Sequence, residues 1–256
     1  MRRWNGWGDE TVTAALPPRA IPFLADRLGP GLRPRDAPLR NVLERLPPPL
    51  VPATGGLDAD PLSRLHHARG QSLPDWVALR SGRIGRFPDL VAWPQSEADV
   101  KELIGLARTS GASLIPFGGG TSVVGHVTPL AGARPVISVD LSRMSLLRRL
   151  DKRSHLAAFG AGIRGPDLEA ALRAHGFTLG HFPQSFEFST LGGWVATRSC
   201  GQQALGYGRI ERLFAGGRVE TPAGPVEIPV FPASAAGPDL REIALGSEGV
   251  DRKSVV

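Results

Sequence analysis

The residue types in Pro116-Phe117-Gly118-Gly119-Gly120-Thr121-Ser122 suit the binding of an anion. Glycine lacks a Cβ, so successive backbone N–H groups can converge on a phosphate, and φ can turn positive at little cost. Thr121 and Ser122 add short hydroxyl donors of the kind a diphosphate uses. A plain glycine-rich turn between strands is the competing reading of this segment taken alone. Spacing removes two familiar phosphate loops. Counting six positions from Gly118 for G-x-G-x-x-G ends on Val123, and no helix-like periodicity follows. Gly120 and Gly125 have P-loop spacing, but His126 and Val127 stand where a Lys and a hydroxyl residue are required.

What remains is a diphosphate bound without nucleotide hydrolysis, which makes a flavin dinucleotide the natural candidate. A second segment strengthens this: Gln184, Ser185, Phe186, Glu187, Phe188, Ser189 and Thr190, then Leu191-Gly192-Gly193-Trp194, continuing through Thr197, Arg198, Ser199 and Cys200 to Tyr207-Gly208. It is too rich in Gly and Ser for a good helix and too polar for a buried strand. Its backbone donors are therefore expected to find their partner in a ligand. The alternative is a long surface loop, and such loops are uncommon in compact domains unless functional.

The elements that must position these residues are legible in part. The 256 residues, 41% of them apolar, supply material for one large domain or two. Residues 1–82, rich in Pro and Arg, read as an N-terminal arm with little core of its own and one short helix over 22–28, closed by Gly29. Residues 83–250 read as the binding domain. A strand over 90–93 leads to Ser96 as N-cap, with Glu97 and Asp99 in the first turn. Val100, Leu103, Ile104 and Ala107 then share a helical face, and Gly111 ends the helix. A strand over 113–117 delivers the glycine loop, completing a β-α-β unit. Strands over 136–141 and 156–159 follow, then a helix opened by Pro166 with Leu168, Ala171 and Leu172 inward and Gly176 closing it. A hairpin over 218–228 turns at Pro222-Ala223-Gly224. The fold class is mixed α+β.

Other classes are disfavoured. No stretch approaches the roughly 18 apolar residues of a membrane helix, and Met1-Arg2-Arg3-Trp4-Asn5 carries no signal-peptide core. A cytoplasmic location is expected, and Cys200 as the single cysteine agrees with a reducing compartment. The formal charge is +6, with Lys101, Lys152 and Lys253 the only lysines. The arginines are scattered rather than clustered with aromatics, so nucleic-acid binding is not expected. Gly246-Ser247-Glu248-Gly249 has the look of another ligand turn. Asp251 to Val256 are expected to be a non-native tail, because the opening of a common sequencing-library adapter, GAT-CGG-AAG-AGC-GTC-GTG, translates to these six residues. The chain then reads as the front part of a longer gene product, inactive by itself.

With these segments in place, the sequence resembles the alkyldihydroxyacetonephosphate synthases, a branch of the flavoprotein superfamily that includes vanillyl-alcohol oxidase and D-lactate dehydrogenase. The residues that carry the resemblance are Trp4-Asn5-Gly6-Trp7-Gly8, Phe87-Pro88-Asp89-Leu90-Val91, the Pro116 to Ser122 stretch and Phe188-Ser189-Thr190-Leu191-Gly192-Gly193-Trp194. Tyr207-Gly208, Gly237-Pro238-Asp239 and the Gly246 turn complete it. The resemblance implies a two-lobed FAD-binding domain of the vanillyl-alcohol oxidase (PCMH) type, truncated here before its last strands and a substrate-binding cap.

It also implies noncovalent FAD, since no His stands within the three glycines where covalently flavinylated relatives place theirs. His126 is read as an ordinary loop residue. The implied cofactor contacts are Pro116 to Ser122, Gln184 to Thr190, Thr197 to Cys200, and Glu248 with Gly249. Arg198 is the candidate for stabilising charge on a phosphate or on the reduced flavin, with a structural role equally open. Gln184 and Arg212 depart from the family, which typically has acidic residues there. The implied activity exchanges the acyl group of acyl-dihydroxyacetone phosphate for a fatty alcohol through a flavin N5 adduct, without net redox change. The second reading is an FAD-dependent 2-hydroxy-acid dehydrogenase or oxidase, and the third a cofactor-free binding protein. Expected partners are a small-molecule or lipid substrate carrying phosphate or carboxylate, with peripheral membrane contact and a homodimer both compatible.

Overall fold

The structure is a computed structural model and describes residues 2–13, 15–31, 35–231 and 235–248. The expected non-native tail and Gly249 lie outside the described residues. The arm contains α1 (Ala20–Leu28), α2 (Leu39–Leu43), α3 (Pro61–His66) and α4 (Leu73–Ser81). Asp60 caps α3 by accepting from the Ser63 N–H, with Pro61 in the first turn. Ser72 and Asp75 form a reciprocal capping box on α4, which ends at Gly82 with φ 70°. The arm is not the core-poor segment its composition suggests. Val42, Leu65, Ala68, Leu79, Ile84 and Phe87 are buried together, with Trp4 and Leu62 against them. Those apolar residues are spread over short helices, so no periodic run announces them.

Next come β1 (Leu90–Ala92), α5 (Glu97–Ser110), β2 (Ser113–Phe117) and β3 (Val136–Asp140). Ser96 and Asp99 form the expected capping box on α5, and Gly111 ends the helix at φ 70°. The β1, β3 and β2 strands form a parallel sheet in that order, with Leu90 opposite Ile137 and Phe117 opposite Asp140. The third strand in sequence therefore lies in the middle, and β3 is buried along its whole length. Val100, Ile104 and Ala107 of α5 pack on Leu90, Ile137 and Val139 in one apolar cluster. Parallel strands all point their carboxyl ends the same way, and ligands of such sheets bind beyond those ends. The glycine loop leaves β2 there, beside Asp140.

A 3-10 turn (Leu141–Arg143) leads to β4 (Leu147–Asp151), which pairs antiparallel with β5 (Leu156–Phe159). The half-exposed, Arg-rich Leu-Arg-Arg-Leu-Asp of β4 carries no strand-like alternation, which is why only its partner is foreseen. Then come α6 (Gly165–Arg173), α7 (Leu191–Thr197), α8 (Ala204–Tyr207), α9 (Ile210–Leu213), the hairpin β6 (Gly217–Thr221) with β7 (Gly224–Ile228), and α10 (Arg241–Ala244). In α6, Leu168 and Leu172 are buried, but Ala171 is only half-buried and Glu169 takes an inward place. Its carboxylate accepts from the Thr178 hydroxyl and from the Leu179 and Gly180 N–H groups. A second cluster joins Leu168, Trp194, Val195, Ile210, Val219 and Ile228. Apart from the arm's cluster, these two cores, one on the β1–β3–β2 sheet and one around α6, α7 and the β6–β7 hairpin, fit the two-lobed FAD-binding domain. Among the described residues, no helix is long and apolar enough to cross a membrane.

Candidate functional site

The stretch 184–201 is not the unbroken loop that its Gly and Ser content suggests. Thr190 is extended, and its Oγ1 accepts from the Gly193 N–H, so it caps α7. Burial of Trp194 and Val195 stabilises this short helix against the low propensity of Gly192 and Gly193. Ahead of it, the backbone donors of Phe186, Phe188 and Ser189 go to the carbonyls of Pro183, Ser185 and Ser185. The expectation that these donors wait for a ligand is therefore corrected: tight turns satisfy them. The Trp194 Nε1–H donates to Ser189 Oγ at 2.7 Å, and Phe186 stacks on Trp194 at a 6.4 Å centroid distance. Gln184 and Glu187 point to solvent.

The glycine loop meets this segment directly. A Cβ on Gly118 would overlap Thr190 Oγ1, and one on Gly119 would overlap the Phe188 carbonyl. Gly120 has φ 63°, and a Cβ there would sit 2.5 Å from Arg2 Nη2 and Phe117 Cζ. The reason for three glycines is thus corrected. The missing side chains make room for neighbouring protein atoms, and the close approach of 118–120 to 188–190 follows. Among the described residues, the N–H groups of Gly119, Gly120, Thr121 and Ser122 donate to no protein acceptor, although the first two lie in half-buried and buried positions. Such groups need water or a ligand. Thr121 opens on a cleft also lined by Gly119 and Phe188, and by Arg2, Trp7 and Gln71. Free donors, a left-handed glycine and a neighbouring guanidinium suit a diphosphate.

The remaining expected residues lie at the end of α7 and on the turn seated against it. Beyond α7, Arg198 takes φ 53°, and its guanidinium pairs with Glu242 of α10. Thr197 Oγ1 turns back to the Gly193 carbonyl, and Cys200 is exposed. Ser199 Oγ lies 3.2 Å from Nε2 of the buried His181. Burial lowers the His181 pKa against the opposing pull of Glu211. The Gly246 and Glu248 N–H groups donate to the Val195 and Ala196 carbonyls, which seats the last turn on α7. Glu248, at φ 52°, places Oε2 2.7 Å from Nε2 of His126. His126 is therefore more than an ordinary loop residue: it ties the far end of the glycine loop to the Glu248 turn.

Sequence reasoning missed Arg2, Trp7 and Gln71. Arg2 and Asp9 form an antiparallel bridge, and the Arg3 N–H donates to the Gly8 carbonyl, making a small hairpin of residues 2–9. Its Trp7 meets Phe188 edge-on at 5.1 Å. The Gln71 N–H donates to the Ser122 carbonyl at 2.7 Å. Beneath the loop, Asp140 accepts from Ser142 N and contacts His67 Nε2 at 2.9 Å. Burial opposes its ionisation, but the His67 and Ser142 contacts outweigh that and hold its carboxyl below the usual range. The motif residues at positions 4–8 were visible, but no local signal says that they fold back over a loop more than a hundred residues away.

The FAD binding domain family profile matches residues 88–228. Over 193 residues the chain is 42% identical to alkyldihydroxyacetonephosphate synthase of Dictyostelium discoideum, covering 75% of this chain and 32% of that protein. Against the Trypanosoma brucei brucei protein of the same name it is 34% identical over 96% of this chain and 46% of the relative. A solved alkyldihydroxyacetonephosphate synthase structure superposes with a TM-score of 0.83 at 34% identity, over 97% of this chain and 51% of that one. The chain thus spans between a third and about half of the proteins it matches. From the family match and the shared fold, the chain belongs to the FAD binding domain family, among its alkyldihydroxyacetonephosphate synthase-like members, with FAD as its cofactor.

Proposed function

We propose that this chain forms the FAD-binding part of an enzyme that exchanges the acyl group of acyl-dihydroxyacetone phosphate for a fatty alcohol. The observation that carries the reading is the junction of residues 118–122 with residues 188–190, where unpaired backbone donors face a cleft. When bound, FAD supplies the redox-neutral exchange chemistry, and the protein supplies position and electrostatics. The N–H groups of Gly119, Gly120, Thr121 and Ser122 would hold the diphosphate, with Thr121 Oγ1 a further donor. Attachment is noncovalent, since no nucleophilic His stands in the loop. Ser199, oriented by His181, and the Glu248 turn would border the flavin side. Arg198 is engaged with Glu242, so its part is to fix the end of α7 rather than to offer a free charge.

A lipid substrate brings the enzyme to a membrane surface. Ile21, Phe23, Leu24 and Leu28 of α1 are all exposed, alongside Arg19 and Arg27, which supports peripheral contact of that kind. The exposed, unpaired Cys200 suits the cytoplasm. A homodimer belongs to the same reading, and sedimentation velocity tests it. For activity, the full-length protein is incubated with acyl-dihydroxyacetone phosphate and labelled fatty alcohol. An ether product formed without consumption of oxygen or an electron acceptor supports the proposal. Bleaching of the flavin by D-lactate or glycolate, with no ether product, overturns it in favour of hydroxy-acid oxidation.

A further inference from the structure

Arg2 sits where a guanidinium is hard to explain by the protein alone. It lies under the glycine loop, close enough that a Cβ on Gly120 would reach Nη2 at 2.5 Å, and its guanidinium faces the Phe117 ring at 5.6 Å. It also lines the cleft shared by Gly119 and Thr121. Among the described residues, it donates no hydrogen bond and pairs with no carboxylate within 4 Å. The acid whose charge acts on it is Asp140, whose two oxygens are taken by His67 and Ser142. The charge of Arg164, of like sign, opposes it. Arg2 is half-buried; drawing a cation out of water is costly unless an anion meets it, and Asp140, already engaged by His67 and Ser142, does not pair with it. Gly119 and Thr121, whose N–H groups donate to no protein acceptor among the described residues, line the same cleft, and such donors take the same kind of partner.

We propose that Arg2 contacts the diphosphate held by the glycine loop, and that the hairpin of residues 2–9 is a strap that the bound diphosphate fastens. This rests on the FAD reading of the site and extends it to an element outside the matched domain, residues 88–228. Trp7 against Phe188 and Gln71 against Ser122 already hold the strap and the arm beside the loop. The anion supplies the missing charge. Arginine suits the role because its planar fork can span two phosphoryl oxygens.

The test uses the full-length apoprotein, wild type, Arg2→Met and Arg2→Lys, titrated with FAD, with ADP and with riboflavin. Arg2→Met is expected to weaken FAD and ADP by roughly tenfold or more and to flatten the salt dependence of their binding. Riboflavin, which lacks phosphate, should be unaffected, and Arg2→Lys should recover part of the loss. Hydrogen exchange on the wild type is the second measurement, and ADP should slow exchange across residues 2–9 whether or not Arg2→Met folds. FAD and ADP affinities of Arg2→Met within twofold of wild type, an equal loss for riboflavin, or no protection of residues 2–9 would each overturn the proposal. A wild-type protein that binds neither FAD nor ADP would instead remove the flavin reading itself, and this proposal with it.

Discussion

Gly119 and Phe188 touch through a position that no other residue type could occupy: a side chain on Gly119 would begin inside the Phe188 carbonyl oxygen. The obstruction is backbone, which cannot swing away as a side-chain tip does. Gly119→Ala must therefore part the two segments. We expect a stability loss of about 1–3 kcal/mol or more by thermal melting, together with loss of flavin absorbance. Gly125→Ala is the control, because Gly125 has φ 85° but open space around it. It should cost about 1–2 kcal/mol through backbone strain alone and retain flavin.

Asp140 anchors the floor beneath that loop. Its carboxylate meets the buried His67 ring and the Ser142 N–H. Asp140→Asn removes the charge and offers an N–H₂ group where an acceptor stood. The expected cost is about 1.5–3 kcal/mol, read from urea unfolding, with weaker FAD binding as the loop loses its support. Unchanged stability would mean that the His67 contact contributes nothing.

Acid should destabilise the arm. Burial, followed by repulsion from Arg2 and His67, lowers the His66 pKa from 6.5 to about 4. A lowered histidine binds its proton more tightly when unfolded, so stability is fully present above about pH 6.5 and falls as pH drops toward 4. His181 acts in the same direction, with burial as the main cause. Denaturation midpoints measured across this window should decline, and His66→Gln should flatten part of the decline.

Glu248→Gln tests the contact that His126 makes with the last turn. The His126–Glu248 contact is partly exposed, with Glu248 at 42% side-chain exposure, so its effect on global stability should stay below about 1 kcal/mol. Its effect on the cofactor should be larger in proportion, because it joins the glycine loop to the turn seated on α7. Faster flavin release in stopped-flow dilution, with an unchanged melt, is the expected pattern.

Sequence reading located the β1–α5–β2 unit, the β6–β7 hairpin and α6 because each carries its own local signals, such as the Ser96 cap, Gly111 and the turn at Pro222-Ala223-Gly224. It also found both glycine-hydroxyl segments. It missed α7, where a cap and tertiary burial override two glycines, and β4, whose charges hide the strand pattern. The caps at Asp60 and Ser72 were legible and would have revealed α3 and α4. The order β1–β3–β2, the meeting of Gly119 with Phe188, and Arg2 beneath the loop depend on contacts between distant parts of the chain. No local propensity encodes such contacts.

The walls of the cleft come from residues 2–8, from Gln71, from the glycine loop and from Phe188. On a ribosome these parts emerge one after another, and the first three must wait for the last before the pocket exists. Contacts that close such long loops form late and slowly. The nascent chain therefore passes through a stage in which the glycine loop is translated but still lacks its partner carbonyl. Cofactor capture then waits until Phe188 has emerged and folded back on the loop, and flavin starvation in a growing cell should raise the pool of newly made, protease-sensitive protein without changing how fast it is translated.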